Sequence, residues 1–293
     1  MAHVVIVGAG PAGVSAALYT ARAGISTTVV AKGSGALEKT DKIENYYGFA
    51  HPVSGKELEA AGIQGAKNAG VRFVQDEVVG IDGFDGFSVR GTVDTYKADS
   101  VILATGAPRA VPALPGIAAF EGSGVSYCAV CDAFFYRGKD VVVLGDGQYA
   151  VHEVSDLLPV VKSVSLVTDG KMPTVEFPAG VAIYPERVKE IYGTDRVEGV
   201  AFANGETLAA EGVFVAYGVA GSVELARKMG AVVKGNRIAV DAAMATTIPG
   251  LFAAGDCTGG LLQIAKAVYE GAAAGLSAVQ FLRAKKKDAG NPV

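Results

Sequence analysis

Two stretches of the chain repeat one arrangement of apolar and polar positions: an unbroken apolar run, a glycine-rich turn, then a segment whose apolar residues recur with helical spacing. The first begins at Val4-Val5-Ile6-Val7, turns at Gly8 and continues as an amphipathic stretch from Val14 to Ala23 that Gly24 ends; the second runs from Val141 to Leu158. Strands that are continuously apolar, rather than alternating, suit the centre of a parallel sheet covered on both faces. The expected fold is α/β, with two Rossmann-like, three-layer dinucleotide-binding domains. Between them, Pro108, Pro112 and Pro115 predict a non-helical crossover over residues 108–116. Another glycine-rich turn, followed by a small-residue helix, is read within residues 248–282.

Composition narrows the picture without changing it. With 293 residues, 50% of them hydrophobic, the chain can bury a large core and divide into two domains. Its 39 glycines follow no Gly-X-Y period and point to repeated tight turns and close approaches of backbone to a ligand. A net charge of −4 with no extended basic stripe argues against nucleic acid as a main partner, and the one basic run, Lys285-Lys286-Lys287, reads as a solvated helix end or tail. The apolar run at the start is too short for a signal peptide, and no stretch approaches the roughly 20 apolar residues that span a bilayer, so a soluble, cytoplasmic protein is expected. Three cysteines, two of them close-set, fit catalysis better than a secreted disulfide framework.

The first turn, Gly8-Ala9-Gly10-Pro11-Ala12-Gly13, stands where a dinucleotide fingerprint belongs, between strand and helix. Gly8 permits the tight turn, Gly10 lets a pyrophosphate approach the backbone, and Gly13 lets helix and strand pack closely, while the helix N-terminus offers free N–H groups to phosphate. The acidic residue that often follows about 20 positions later to hold a ribose is missing, because the second strand ends in Val30-Ala31-Lys32. Ribose contacts must therefore differ.

Cys128-Ala129-Val130-Cys131 has the spacing at which a disulfide closes a small ring, and the same spacing serves zinc. A structural zinc site needs four ligands, however, and the remaining candidates His3, His51 and His152 are scattered singly. Asp132 adjoins the second cysteine, placed either to move a proton to and from a thiolate or to cap a helix. Phe134-Phe135-Tyr136 supplies an apolar wall. Cys257, among small apolar neighbours, reads as a buried structural thiol, and His152 as ordinary helix surface or core.

The run Cys128 to Arg137 resembles the active-site segment of the low-molecular-weight thioredoxin reductases, and the resemblance extends over nearly the whole chain. Gly8, Gly10, Pro11, Ala12 and Gly13 match that family's first FAD motif. Ile43-Glu44-Asn45-Tyr46-Tyr47-Gly48, with Asn45, matches its flavin-side loop, and Ala104-Thr105-Gly106 the strand end under the cofactor. Phe252-Ala253-Ala254-Gly255-Asp256 looks like the last FAD motif, with Asp256 on the ribityl chain and Gln263, Ile264 and Ala265 opening a helix aimed at the flavin. The resemblance returns the last region to the first domain, so the FAD domain is expected at 1–110 and 238–293 and the dithiol domain, inserted, at 111–237. It also implies a homodimer, with Cys131 facing the flavin, Cys128 attacking the thioredoxin disulfide, and Asp132 as proton donor or acceptor.

The second glycine loop departs from the NADPH-using members. It reads Gly145-Asp146-Gly147-Gln148-Tyr149-Ala150, where Asp146 sets a carboxylate near an incoming pyrophosphate and Tyr149 is bulky where close approach is wanted. The next strand, Val164 to Val167, leads into Thr168-Asp169-Gly170-Lys171, and no arginine lies between Arg137 and Arg187 to grip a 2′-phosphate. The loops at 43–49 and 145–150 resemble instead the ferredoxin-linked thioredoxin reductases, which implies reduced ferredoxin as donor and thioredoxin as acceptor. Three other readings stay open: the same reductase using NADH through Asp169, an oxygen-dependent dithiol oxidase, and a non-enzymatic redox-sensing flavoprotein.

Overall fold

The structure, a computed structural model, describes residues 2–83, 86–107, 113–173, 175–218 and 220–290. By internal contacts the chain forms two compact units, residues 1–109 with 221–293, and residues 110–220.

In the first unit, β1 (His3–Val7) leads through the glycine loop to α1 (Pro11–Arg22), β2 (Ser26–Ala31), α2 (Gly55–Asn68) and β3 (Arg72–Gln75). A meander follows, β4 (Val78–Asp82), β5 (Phe87–Gly91) and β6 (Thr95–Ala98), before β7 (Ser100–Leu103) re-enters the main sheet. Val4, Val5 and Ile6 are fully buried and pair in parallel with both β2 and β7, as an unbroken apolar strand requires. Helix α1 starts at Pro11, earlier than the Val14 expected, because proline at the first helical position has its φ preset and lacks an N–H that would go unpaired there. Ser54 and Glu57 cap α2 reciprocally, and the Ser54 hydrogen bonds hold the Glu57 carboxyl below its ordinary range.

The second unit repeats the plan: β8 (Val125–Ser126), α3 (Ala129–Asp132), β9 (Asp140–Leu144), α4 (Gln148–Leu157), β10 (Ser163–Val167) and β11 (Ala182–Tyr184). Its own meander, β12 (Val188–Gly193), β13 (Val197–Phe202) and β14 (Thr207–Ala209), precedes β15 (Gly212–Val215). The parallel sheet runs β11-β10-β9-β15-β8, so the central strand β9 has β10 on one side and β15 on the other. The second core gathers Val142, Leu144, Val213 and Val215 from the parallel strands with Ile191, Val200 and Phe202 from the meander.

The chain then returns to the first unit through α5 (Ser222–Lys228), the short pair β16 (Val233–Lys234) and β17 (Arg237–Ile238), β18 (Leu251–Ala253) and α6 (Ile264–Gly290). Strand β18 completes a five-stranded parallel sheet in the order β18-β7-β1-β2-β3. By contacts the return falls at Gly221, not at 238. Side-chain bonding decides this: Ser222 N–H donates to Thr105 Oγ1 at 2.7 Å and Thr105 N–H to Ser222 Oγ at 3.0 Å, tying the start of α5 to the end of β7. Of the crossover prolines, Pro108 and Pro112 lie outside the described residues, while the Pro115 carbonyl accepts the Ile191 N–H at 2.9 Å. Among the described residues no helix is long and apolar enough to cross a membrane.

Candidate functional site

The first glycine loop is shaped by contacts only glycine allows. Gly8 has φ +114°, and a Cβ there would strike the Ala104 carbonyl; one on Gly13 would strike the carbonyl of Gly8. A Cβ on Gly10 would meet nothing, so the loop is tight beneath and open above, the form of a cradle for a bulky phosphate-bearing group. Gly10 is the N-cap of α1 and no side chain caps the helix, whose first turn carries no acid. That leaves an electropositive helix end facing the opening. At the end of β2, where an acidic residue was missed, Lys32 pairs with Glu77 at 2.7 Å from the link between β3 and β4. Glu77 Oε1 is buried with no partner among the described residues, so an acceptor does stand at this edge, brought by the neighbouring strand.

The C-terminal motif folds against the same loop. Gly255, at φ +88°, brings its backbone beside Ala12, and its N–H donates to Glu270 at 2.8 Å. Lys266 donates to the Gly255 carbonyl at 2.7 Å and pairs with Glu270 at 2.9 Å, while Thr258 donates to both Gly255 O and Glu270. A Lys–Glu pair on the first turns of α6, its glutamate buried and its lysine partly so, therefore fixes the Gly255-Asp256 turn. Asn45 and Gln263, 218 positions apart, meet at 3.1 Å with the Asn45 amide donating. Helix α6 starts at Ile264, directly after Gln263. Thr105 spends both its hydroxyl and its N–H on Ser222, at 2.8 and 3.0 Å.

In the second unit, Cys128 and Cys131 form a disulfide with Cα atoms 5.3 Å apart. Cys128 is the N-cap of α3; it is 1% exposed, whereas Cys131 is exposed. The Cys131 N–H donates to Cys128 Sγ at 3.2 Å, a hydrogen bond that favours a thiolate on Cys128. Asp132 does not cap a helix with its side chain; its Oδ2 accepts the Ser126 hydroxyl at 2.7 Å, and Ser126 Oγ in turn accepts the Cys128 N–H at 3.1 Å. One serine thus links the acid to the backbone of the buried cysteine. The expected apolar wall is mostly a surface: Phe134 and Phe135 are 70% and 67% exposed, and only Tyr136 packs inward, edge-on to Phe214. Cys257 stays apart in the first unit, fully buried, and burial pushes its thiol up to about 12. His152 lies on α4 facing Asp156 at 3.5 Å.

The crevice that a pyridine nucleotide would enter lies beyond the carboxyl ends of β9, β10 and β15, where the strand order reverses. Residues following all three strands meet there. Lys171, after β10, pairs with Asp146, after β9, at 3.6 Å, and lies over the ring of Tyr217, after β15, at 5.8 Å. Asp169 accepts the Val188 N–H on Oδ1 at 2.8 Å. Tyr149 corrects the sequence reading: it does not obstruct the loop but is completely buried, its hydroxyl donating to the Tyr127 carbonyl at 3.1 Å beside the dithiol. Crowding of the glycine loop therefore rests on Asp146 alone.

The family described as pyridine nucleotide-disulphide oxidoreductase matches residues 2–271. The thioredoxin reductase of Aquifex aeolicus is 36% identical over 97% of this chain and 94% of its own, and that of Listeria innocua 33% identical over 97% and 95%. The crystal structure of the atypical thioredoxin reductase TRi from Desulfovibrio vulgaris Hildenborough superposes with a TM-score of 0.92 at 39% identity, covering 97% of this chain and 99% of that one. A ferredoxin-flavin thioredoxin reductase from Clostridium acetobutylicum gives 0.71 at 35% identity, covering 96% and 98%.

The chain belongs to the thioredoxin reductase family. It is an FAD-dependent disulfide oxidoreductase with two Rossmann-like domains. The cradle fits that cofactor: an open Gly10, an uncapped helix end and a buried unpartnered carboxylate oxygen lie along one edge of the first sheet. Of the residues the sequence singled out, the structure joins Asn45 to Gln263, Gly8 to Ala104, and Gly255 to Ala12, and closes Cys128 onto Cys131. Sequence reading missed Ser126, Lys266, Glu270 and Glu77. Lys266 and Glu270 carried a signal, an i, i+4 pair at a helix start; Ser126 acts within its own segment, on Cys128 and Asp132, and Glu77 through a contact with Lys32 from a distant segment.

Proposed function

We propose that the protein reduces thioredoxin with electrons delivered singly by reduced ferredoxin, not by NADPH. The observation that carries this reading is the Asp146–Lys171–Tyr217 bridge across the crevice that a nicotinamide dinucleotide would occupy. It supports a flavin fed by another route, and so does the likeness to a protein titled ferredoxin-flavin thioredoxin reductase. NADH binding through Asp169 is disfavoured because that carboxylate already holds the Val188 backbone.

Gly8, Gly10, Pro11, Ala12, Gly13, Asn45, Ala104, Thr105, Gly106, Gly255, Asp256, Gln263, Ile264 and Ala265 would hold FAD, which when bound would supply an electron pair to the disulfide. Cleaving the Cys128–Cys131 bond leaves two sulfurs with different surroundings. Cys131, the exposed one, is the sulfur reached first, and Cys128 departs as a thiolate that the Cys131 N–H stabilises. Cys128 then attacks the thioredoxin disulfide, and the thioredoxin sulfur that leaves takes a proton from Asp132. Cys131 then passes its thiol proton to the vacated Asp132 carboxylate and attacks Cys128 in the mixed disulfide; the second thioredoxin sulfur leaves and takes that proton, restoring the protein disulfide and releasing dithiol thioredoxin. Ser126 keeps the Asp132 carboxyl beside this exchange. A homodimer and a cytoplasmic location complete the proposal; sedimentation at the mass of one chain would remove the dimer.

Anaerobic stopped-flow mixing tests the donor. Reduced ferredoxin should bleach the flavin absorbance within seconds, and NADPH and NADH should leave it unchanged. Fast bleaching by NADPH with none by ferredoxin would overturn the proposal.

A further inference from the structure

Helix α4 follows the glycine loop of the second unit, where a nucleotide-binding protein would use the N-terminal end to receive a pyrophosphate. Here two of its side chains are turned to other work. Tyr149 and Glu153 stand one turn apart and share a face, 0% and 1% exposed. Tyr149 Oη donates to the carbonyl of Tyr127 at 3.1 Å, and Glu153 Oε2 accepts the N–H of Ala129 at 2.7 Å. These are the residues on either side of Cys128. With the Cys128 N–H held by Ser126 Oγ, the backbone around the buried sulfur is anchored on both flanks and at its own amide.

We propose that Glu153 and Tyr149 are positioning residues for the redox dithiol, setting how readily its disulfide closes. Ring closure between two thiols depends on their effective concentration, which rises when the backbone already holds them in the closed geometry. Anchoring the Cys128 peptide planes to a buried helix removes freedom from the dithiol form more than from the disulfide, which is already a constrained ring. The equilibrium is thereby moved toward disulfide, making the dithiol a stronger reductant, as a reductase needs. A buried acceptor on the Ala129 N–H acts in the same direction: it occupies a donor that would otherwise be free to stabilise a Cys128 thiolate. In a chain whose nucleotide crevice is bridged, α4 serves the dithiol instead of a phosphate.

The test is the equilibrium of the FAD-loaded protein with glutathione, in which the protein dithiol and one glutathione disulfide exchange to give the protein disulfide and two glutathione thiols, with no net gain or loss of electrons or protons. Thiols are trapped by alkylation and counted by mass. Glu153→Ala should shift the equilibrium about tenfold toward the dithiol, which corresponds to about 30 mV. Glu153→Gln, which keeps an acceptor for the Ala129 N–H, should stay within about threefold of wild type, and Tyr149→Phe should shift in the same direction as Glu153→Ala by a smaller factor. An unchanged equilibrium in Glu153→Ala, with FAD content retained, overturns the proposal. If that variant does not fold, Tyr149→Phe decides: wild-type behaviour there, or a shift toward the disulfide, overturns it equally. Neither ferredoxin nor a nicotinamide enters the assay, so its outcome is independent of whether ferredoxin feeds the flavin.

Discussion

Asp76 organises a whole turn with one carboxylate. Its two oxygens accept the hydroxyls of Thr92 and Tyr96, at 2.9 and 2.7 Å, and the N–H groups of Thr92, Val93 and Asp94. Burial alone would raise its pKa, but the hydrogen bonds from Tyr96, Thr92 and the backbone outweigh it and hold the carboxyl below its ordinary value of 3.8. Tyr96 shows the reciprocal effect, pushed up to about 12 first by burial and then by its bond to Asp76. Asp76→Asn would keep one acceptor oxygen but turn an amide N–H toward the donors of the other, a cost on the order of 2–4 kcal/mol. A group whose folded pKa is depressed stabilises fully above its unfolded pKa, and that stabilisation is lost as pH falls through the folded value. Urea midpoints of wild type and Asp76→Asn should thus differ most above about pH 5, and the difference should narrow as pH falls below the ordinary value of 3.8; a gap independent of pH would contradict the assignment. Nothing in the sequence marks Asp76, because its partners lie 16 to 20 positions away and become neighbours only when β4, β5 and β6 pair. Cys128, Cys131 and Gly8 were legible for the opposite reason: their chemistry is local, written in spacing.

Helices α1 and α6 meet through small residues. A Cβ on Gly271 would strike the Ala12 carbonyl, and one on Gly275 would come within 2.7 Å of the Ala16 carbonyl. The close approach seats the start of α1, with its open Gly10, against the turn that Lys266, Glu270 and Thr258 hold. Gly271→Val should therefore do two things at once. Overpacking should destabilise the unit by about 1–3 kcal/mol, lowering the thermal midpoint, and displacement of α1 should weaken FAD retention, visible as a lower flavin-to-protein absorbance ratio after gel filtration. A variant that loses stability but keeps full FAD would separate the packing from the cradle. At this scale the sequence told half the story. The small-residue character of α6 was plain, and so was the strand–loop–helix order at both glycine loops. Which helix those glycines admit was not, because β18 and α6 join a sheet begun some 250 residues earlier and the spacing of apolar positions carries no information about partners so distant in sequence. The same limit misplaced the return to the first unit: Ser222 and Thr105 look unremarkable until the fold brings them together.

For the molecule as a whole, the burial of the two sulfurs and the roles proposed for them pull apart. Cys131 is exposed and Cys128 is 1% exposed, yet Cys128 is the thiol proposed to attack thioredoxin. If both statements hold, turnover requires a second state in which Cys128 reaches a protein partner, and the energy to populate it is part of the cycle. Single-cysteine variants separate accessibility from role. Cys131→Ser leaves Cys128 with its stabilising amide, and Cys128→Ser leaves Cys131 exposed but without that neighbour. Offered a thioredoxin activated at its own surface cysteine by a chromogenic leaving group, Cys131→Ser should form the mixed disulfide at least about tenfold faster once thiolate fraction governs the exchange. Its rate should level off at high thioredoxin concentration, because opening, not encounter, then limits it. Cys128→Ser should show a rate that is slow and linear in thioredoxin. Faster exchange by Cys128→Ser, with no plateau in either variant, would reverse the assignment of the two sulfurs and leave the buried cysteine as the flavin-side partner. A plateau confined to Cys131→Ser would instead measure the opening rate directly, and that rate, compared with turnover, decides whether exposure of Cys128 limits the enzyme.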